Sequence, residues 1–225
     1  MWISRIQLRS NNQEDRDFWR HASQYNRAFQ LVRQFFPNNG RSYLYRVVEG
    51  HTMPVIFAVS EDLPQIPGGT WRVDTKEYAP QLWESQHLAF TLLINPTVRK
   101  VGGDGKSRRY DVLYEAKKQM RQSNLVESWA AILQREGARW LAVRAAHWGF
   151  EARPEAIRVE SYQKVKLTLK GKSPIKLAVV NFAGVLTVAD PIKFKEVLFR
   201  GIGPGKNFGC GLMLVKPLEE SPLPG

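Results

Sequence analysis

The stretch Arg200 to Val215, RGIGPGKNFGCGLMLV, limits the fold more than any other part of the chain. Five glycines fall between Gly201 and Gly211, with Lys206 among them. Glycine enters positive-φ backbone without steric cost and lets a second backbone come close. A run of them therefore marks a loop of fixed, unusual geometry between regular elements. Before it, Asp190 to Phe199 reads as a helix, with Asp190 as N-cap and Pro191 at the first helical position. After it, Leu212 to Val215 reads as a buried strand. This order reverses that of nucleotide-binding loops, and GxxxxGK[ST] is absent because Asn207 follows Lys206. Two readings stay open. The segment is a helix C-cap with a tight turn into an edge strand, or its N–H groups, around Gly203, Gly205 and Lys206, contact phosphate.

The rest of the chain supplies the elements this loop must join. Met1 to Leu8 alternates, with Ile6 and Leu8 against Arg5 and Gln7, as a half-buried strand does. Ser23 to Phe36 reads as a helix capped by Ser23, with Ala28, Phe29, Val32, Phe35 and Phe36 on one face. Tyr43 to Val48 and Val55 to Val59 read as short strands. Glu61 to Gln86 is ambiguous, with prolines and glycines between Pro64 and Gly69 and the unit's second helix poorly defined, and Leu88 to Ile94 reads as a strand closing the first half. Thr97 to Tyr110 carries Gly102, Gly103 and Gly105 among five Lys/Arg, the composition of a flexible basic connector. Asn124 to Glu136 reads as a helix, with Asn124 and Glu127 as a capping box and Gly137 just past its end. Ser161 to Phe182 reads as a hairpin turning at Gly171 to Pro174, and Val185 to Val188 as a further strand. The order predicts an α+β fold of two tandem ferredoxin-like βαββαβ units. Their expected limits are 1–98 and 112–225, with 99–111 as the connector.

Charge narrows the partner. The chain has 33 Lys plus Arg against 21 Asp plus Glu, a formal net charge of +12 and a pI near 10.0. That excess favours a polyanion, most simply nucleic acid, over the alternatives of a generally basic protein or a membrane-surface binder. No window approaches the roughly 18 apolar residues of a membrane span, so no membrane partner is expected. Cys210 is the only cysteine, which excludes an internal disulfide and makes a reducing cytoplasm the default location. On the hairpin, Lys164, Lys166 and Lys170 share one strand face. Lys172 sits at the tip and Lys176 on the return strand. The row suits a nucleic-acid backbone, and a solvated strand face is the alternative. His21, His51, His87 and His147 are isolated, and no Cys/His/Asp set has ligand spacing, so neither a metal nor a cofactor is expected.

GIGPGKNFGCGL resembles the C-terminal glycine-rich loop of the CRISPR repeat-RNA processing endoribonucleases, in particular the CasE-type subunit of type I-E Cascade complexes. MWISRIQL, LAFTLLINPTVRK and VVNFAGVLTVADP resemble, in order, that family's first strand, the strand and Asn-Pro turn ending its first half, and a strand pair before its last helix. The resemblance implies tandem ferredoxin-like domains and a CRISPR RNA repeat stem-loop held on basic elements of the second half. It also implies cleavage by 2′-OH attack without metal, and partnership with other Cascade subunits. In that family a histidine on the first helix moves the proton. In SQYNRAF that place falls to Asn26, with Arg27 after it and Ser23 in the position of a tyrosine. Asn cannot exchange a proton near neutral pH. Three explanations stay open: His21 substitutes with help from Tyr25, the protein binds RNA with little or no cleavage, or Asn26 is an engineered replacement.

Overall fold

A computed structural model describes residues 1–9, 25–37, 43–49, 53–68, 70–101, 103–122, 127–167 and 175–218. The first unit holds β1 (Trp2–Leu8), α1 (Tyr25–Phe35), β2 (Tyr43–Val48), β3 (Val55–Ser60) and β4 (Trp71–Glu77). Its strands lie in the order β2-β3-β1-β4, every neighbouring pair antiparallel. This is the ferredoxin-like order; among the described residues no helix stands between β3 and β4. The alternation in β1 works as read, with Ser4, Ile6 and Leu8 buried and Arg5 exposed. Ala28, Leu31, Val32 and Phe35 of α1 cover that face, and Phe35 meets Trp71 edge-on at 5.3 Å.

β4 corrects the sequence reading. The ambiguous stretch contains a strand that pairs with β1 along its whole length, from Trp2↔Glu77 to Leu8↔Trp71. Its charged outer face, Arg72, Asp74 and Lys76, leaves only Trp71 and Val73 as apolar signal. The strand expected to close this sheet, β5 (His87–Ile94), belongs instead to the second one.

The second unit continues with β6 (Thr97–Val101), β7 (Ser107–Asp111), α2 (Val112–Gln122), α3 (Trp129–Ala145), β8 (Phe150–Glu151), β9 (Ile157–Leu167), β10 (Ile175–Val188), α4 (Pro191–Arg200) and β11 (Met213–Pro217). β11, β5 and β10 lie side by side, and β9 lies on the far side of β10. With β5 as its first strand this is again the ferredoxin-like order. By sheet membership the change of unit falls between Glu77 and His87. Residues 99–111, read as a connector, fall within the second unit, mostly in the β6–β7 hairpin. Phe90, Leu92, Ile94, Leu141, Phe150, Phe182 and Phe194 form its core.

Two further readings change. α3 starts later and runs longer than expected: Ser128 is its N-cap, accepting from the Ala131 N–H at 3.2 Å, and the helix passes straight through Gly137. Gly137 is buried, and a Cβ there would sit 2.8 Å from Val159 Cγ2. It is a close-approach residue against β9, which is why its terminator signal misled. β10 is also continuous past Ala183 and Gly184; the irregularity is a bulge at Asn181/Phe182, where Glu160 is the extra residue on β9. Asp190 caps α4 as read, accepting from the Lys193 N–H at 2.9 Å.

The two sheets meet through Leu44 and Val59 of the first and Leu212 after the glycine loop, with Ile3, Phe57, Tyr78, Phe199 and Leu214 around them. No helix of the described residues is long and apolar enough to cross a membrane.

Candidate nucleic-acid interface

The β9–β10 ribbon carries the expected basic row, with an addition. Lys164 lies opposite Ala178, and Lys166 lies directly opposite Lys176. Direct partners in an antiparallel pair share a face, so three ammonium groups stand together. All three lysines are exposed, and none of them pairs with a described carboxylate. Like charges facing each other across a ladder destabilise it, which makes such a pair a poor choice for a purely structural strand. Lys164 Nζ stands 3.9 Å from the centre of the Tyr114 ring on α2. Lys170 and Lys172 lie outside the described residues.

The β6–β7 hairpin repeats the pattern. Arg99 faces Arg109, and Lys100 faces Arg108. Here carboxylates moderate the charge: Lys100 reaches Glu115 at 3.2 Å, and Arg108 reaches Asp104 at 2.5 Å. Sequence reading saw the charge in this stretch and missed its order, because the three glycines outweighed the short alternation. α2 links the two hairpins. Asp111, at the end of β7, accepts from the Leu113 N–H at 3.0 Å and from the Tyr162 hydroxyl at 2.7 Å. Burial first, and then this bond, push the Tyr162 phenol well above its ordinary range.

The glycine loop has the geometry its composition demanded. Gly201, Gly203, Gly205, Gly209 and Gly211 all have positive φ. The tightest is Gly211, where a Cβ would stand 2.6 Å from the Ile202 carbonyl oxygen. Much of the loop's hydrogen bonding turns inward. Ile202 N–H donates to Gly211 O, Gly211 N–H to Leu93 O, Phe208 N–H to Gly205 O and Gly209 N–H to Lys206 O. Lys206 Nζ donates to the Arg200 carbonyl at 2.5 Å, serving the end of α4 as a helix C-terminus prefers. The C-cap reading of this segment therefore holds in the geometry, and any anion contact is confined to the exposed backbone near Gly203 to Asn207.

The loop and the lysine row are on opposite faces. Leu177 follows Lys176 on β10 and so points the other way, where it packs near Gly205 and Cys210. The loop is tied to the first unit instead. The turn Lys206–Phe208 lies next to α1, and the Tyr45 hydroxyl donates to Asn207 O at 3.0 Å. Tyr25, Asn26 and Arg27 form the described start of α1, whereas His21 lies outside the described residues.

Sequence reading had no means of finding Arg46. Only 4% exposed on β2, it crosses to the second sheet, donating to Thr91 Oγ1 at 3.0 Å on β5 and to Asn181 Oδ1 at 2.8 Å on β10. Asn181 passes the contact on to Glu160 at 2.7 Å, the bulged residue of β9. Burial lowers the Arg46 guanidinium to about 10, and the charge of Glu160 opposes the shift. The group stays a cation at neutral pH, and it pins the first unit to the middle of the second. Cys210 beside it is buried, and that burial raises its thiol to about 12.

Among the described residues, no group of three or more His, Cys, Asp or Glu converges as a metal site. The family model described as "CRISPR associated protein" matches residues 1–217. The CRISPR system Cascade subunit CasE of Escherichia coli (strain K12) is 28% identical over 184 residues, covering 81% of this chain and 85% of that one. The CRISPR-associated endoribonuclease Cse3 of Thermus thermophilus is 28% identical over 145 residues, covering 63% and 61%. A solved structure of Thermus thermophilus Cse3, bound to an RNA representing a pre-cleavage complex, superposes with a TM-score of 0.68 at 23% identity, covering 96% of this chain and 98% of that one.

Proposed function

Since the chain belongs to the CRISPR associated protein family, we propose that it binds the hairpin of CRISPR repeat RNA, cuts the precursor beside it, and stays on the product as a Cascade subunit. The observation that carries this reading is the Lys166–Lys176 pair with Lys164 beside it: three cations held on one strand face, none of them in an ion pair with a described carboxylate, with Asp111 the one acidic residue lining the cavity they share. A phosphate backbone supplies the missing charge. The β6–β7 hairpin, with its own facing cations, extends the surface past α2. Relatives named as a Cascade subunit and as an endoribonuclease support the same reading.

The chemistry belongs on the other side of the ribbon, where the glycine loop meets α1. RNA held by the lysines reaches it by passing the outer edge of β9. A base takes the proton of a 2′-OH, the oxygen attacks the adjacent phosphate, and the 5′-oxygen leaves with a proton. The products are a 2′,3′-cyclic phosphate and a 5′-hydroxyl. This reading assigns the backbone of Gly203 and Gly205 to meet the phosphate, and Arg27 to offset its growing charge. His21, assisted by Tyr25, is the proton-transfer group this reading assigns in place of Asn26.

Incubating the protein with repeat RNA in EDTA tests the whole scheme. Binding with cleavage to a cyclic-phosphate end is expected, and a strict metal requirement overturns the mechanism. A second reading, a repeat-binding assembly subunit without cleavage, is favoured by Asn26 alone. Tight binding with intact RNA would select it.

A further inference from the structure

Between α2 and the β9–β10 ribbon lies an open cavity of about 590 Å³, lined by Asp111, Tyr114, Lys164, Lys166, Lys176 and Ala178, with the strand at Val165 and Leu177 forming its floor. Two features set it apart from the rest of the basic surface. The first is Tyr114, 50% exposed, an aromatic ring presented at the rim and braced by the Lys164 ammonium. The second is Asp111, a carboxylate among three lysines.

A surface built only to grip a duplex backbone has no use for either. Phosphates repel a carboxylate, and a duplex buries its base faces against one another. An unpaired nucleotide suits both. Its base has a free face to stack on the ring, and its edge has N–H donors for the carboxylate. The Asp111 oxygens already accept from Leu113 N–H and the Tyr162 hydroxyl, and a carboxylate has about four acceptor positions, so capacity remains. Those two bonds fix the orientation of the group before any ligand arrives. The volume lies within the usual range for small-ligand sites.

On the reading that this face binds RNA, we propose that the cavity receives one unpaired base next to the stem. The base stacks on Tyr114, gives an amino hydrogen to Asp111, and leaves its phosphate between Lys166 and Lys176. The acceptor chemistry makes the site selective: cytosine offers an N4 amino group where uracil offers a carbonyl oxygen, which faces the carboxylate with repulsion.

Three synthetic stem-loop RNAs test this: one blunt, one with single-stranded cytidine flanks, one with uridine flanks. Binding to the full-length protein is read by fluorescence anisotropy at one salt concentration. The cytidine-flanked RNA is expected to bind tightest and the blunt one weakest, the stacked base being worth roughly 5- to 150-fold. Tyr114→Ala removes the gain from adding a flank, and Tyr114→Phe retains it. Asp111→Asn keeps an N-cap for α2 but adds an N–H donor, so the preference for cytidine over uridine narrows or inverts. Equal wild-type affinity for blunt and flanked RNA, or a full flank gain in Tyr114→Ala, overturns the base pocket while leaving RNA binding intact. Failure of all three RNAs to bind overturns the RNA reading and the pocket with it.

Discussion

Replacing Lys166 and Lys176 together by Gln separates their two costs and benefits. In the free protein the residues face each other directly across β9 and β10. Removing a facing like-charge pair stabilises the sheet by a few tenths of a kcal/mol, so the melting temperature rises by about 1 °C. In the complex each lysine is assigned one phosphate, and each such contact adds about 0.7 to 0.9 to the slope of log K against log salt. Losing two lowers the slope by about 1.4 to 1.8. Taking the electrostatic part as spent near 1 M, the double variant loses about 25- to 60-fold in affinity at 0.1 M. Titrations of repeat RNA at several salt concentrations, beside a thermal melt of the free protein, give both numbers. Opposite signs are the signature: weaker binding by a more stable protein. An unchanged slope would refute phosphate contact at this pair, and a lowered melting temperature would show that the strands need the lysines for themselves.

Other outcomes follow from the same geometry. Gly211→Ala, at a φ of 95° with the Ile202 oxygen 2.6 Å from the new Cβ, should cost about 2 kcal/mol or more in chemical denaturation. Gly205→Ala, whose Cβ has ordinary 3.4 Å neighbours, should cost only the backbone strain of about 1 kcal/mol. Asn26→His should raise repeat cleavage by about 10²–10⁴ in single-turnover assays with little change in affinity. If it does not, and His21→Ala abolishes cleavage, His21 holds the role. Cys210 should resist alkylation at pH 8 until the protein unfolds. Its folded thiol keeps a proton to about 12 while an unfolded one loses it near 9, so stability should fall as pH rises through that window.

Both ferredoxin-like units were legible in the sequence where local and tertiary signals agree. Tyr43–Val48 and the Asp190-Pro191 start of α4 needed no knowledge of their neighbours. What failed were signals that mean different things in different surroundings. Gly137 reads as a helix end until Val159 is known to press on it. β4 looks irregular because four of its seven residues are charged, and only pairing with β1 makes it a strand. β5 reads as a strand from its own residues, but nothing within eight apolar-rich residues says which strands will flank them, and its sheet is the second rather than the first. At the candidate site the lysine row was readable from period two, and its facing partner Lys176 acquired meaning only with the register. Arg46 and the Asp111–Tyr162 contact join residues far apart in the chain and left no local trace.

The position of β5 has a bearing on how the chain is made. It sits between β10 and β11, both of which are synthesised long after it. At about 5–20 residues per second, the roughly 120 residues from Ile94 to Met213 take about 6–24 s to appear. For most of that interval, until β10 emerges, the first unit has all its strands while HLAFTLLI has neither neighbour and exposes two unpaired edges. The glycine loop arrives later still, just ahead of β11. The nascent chain therefore passes through a period in which a sticky apolar strand trails a finished half, and the junction between the glycine loop and α1 closes only after β10 and α4 have been made.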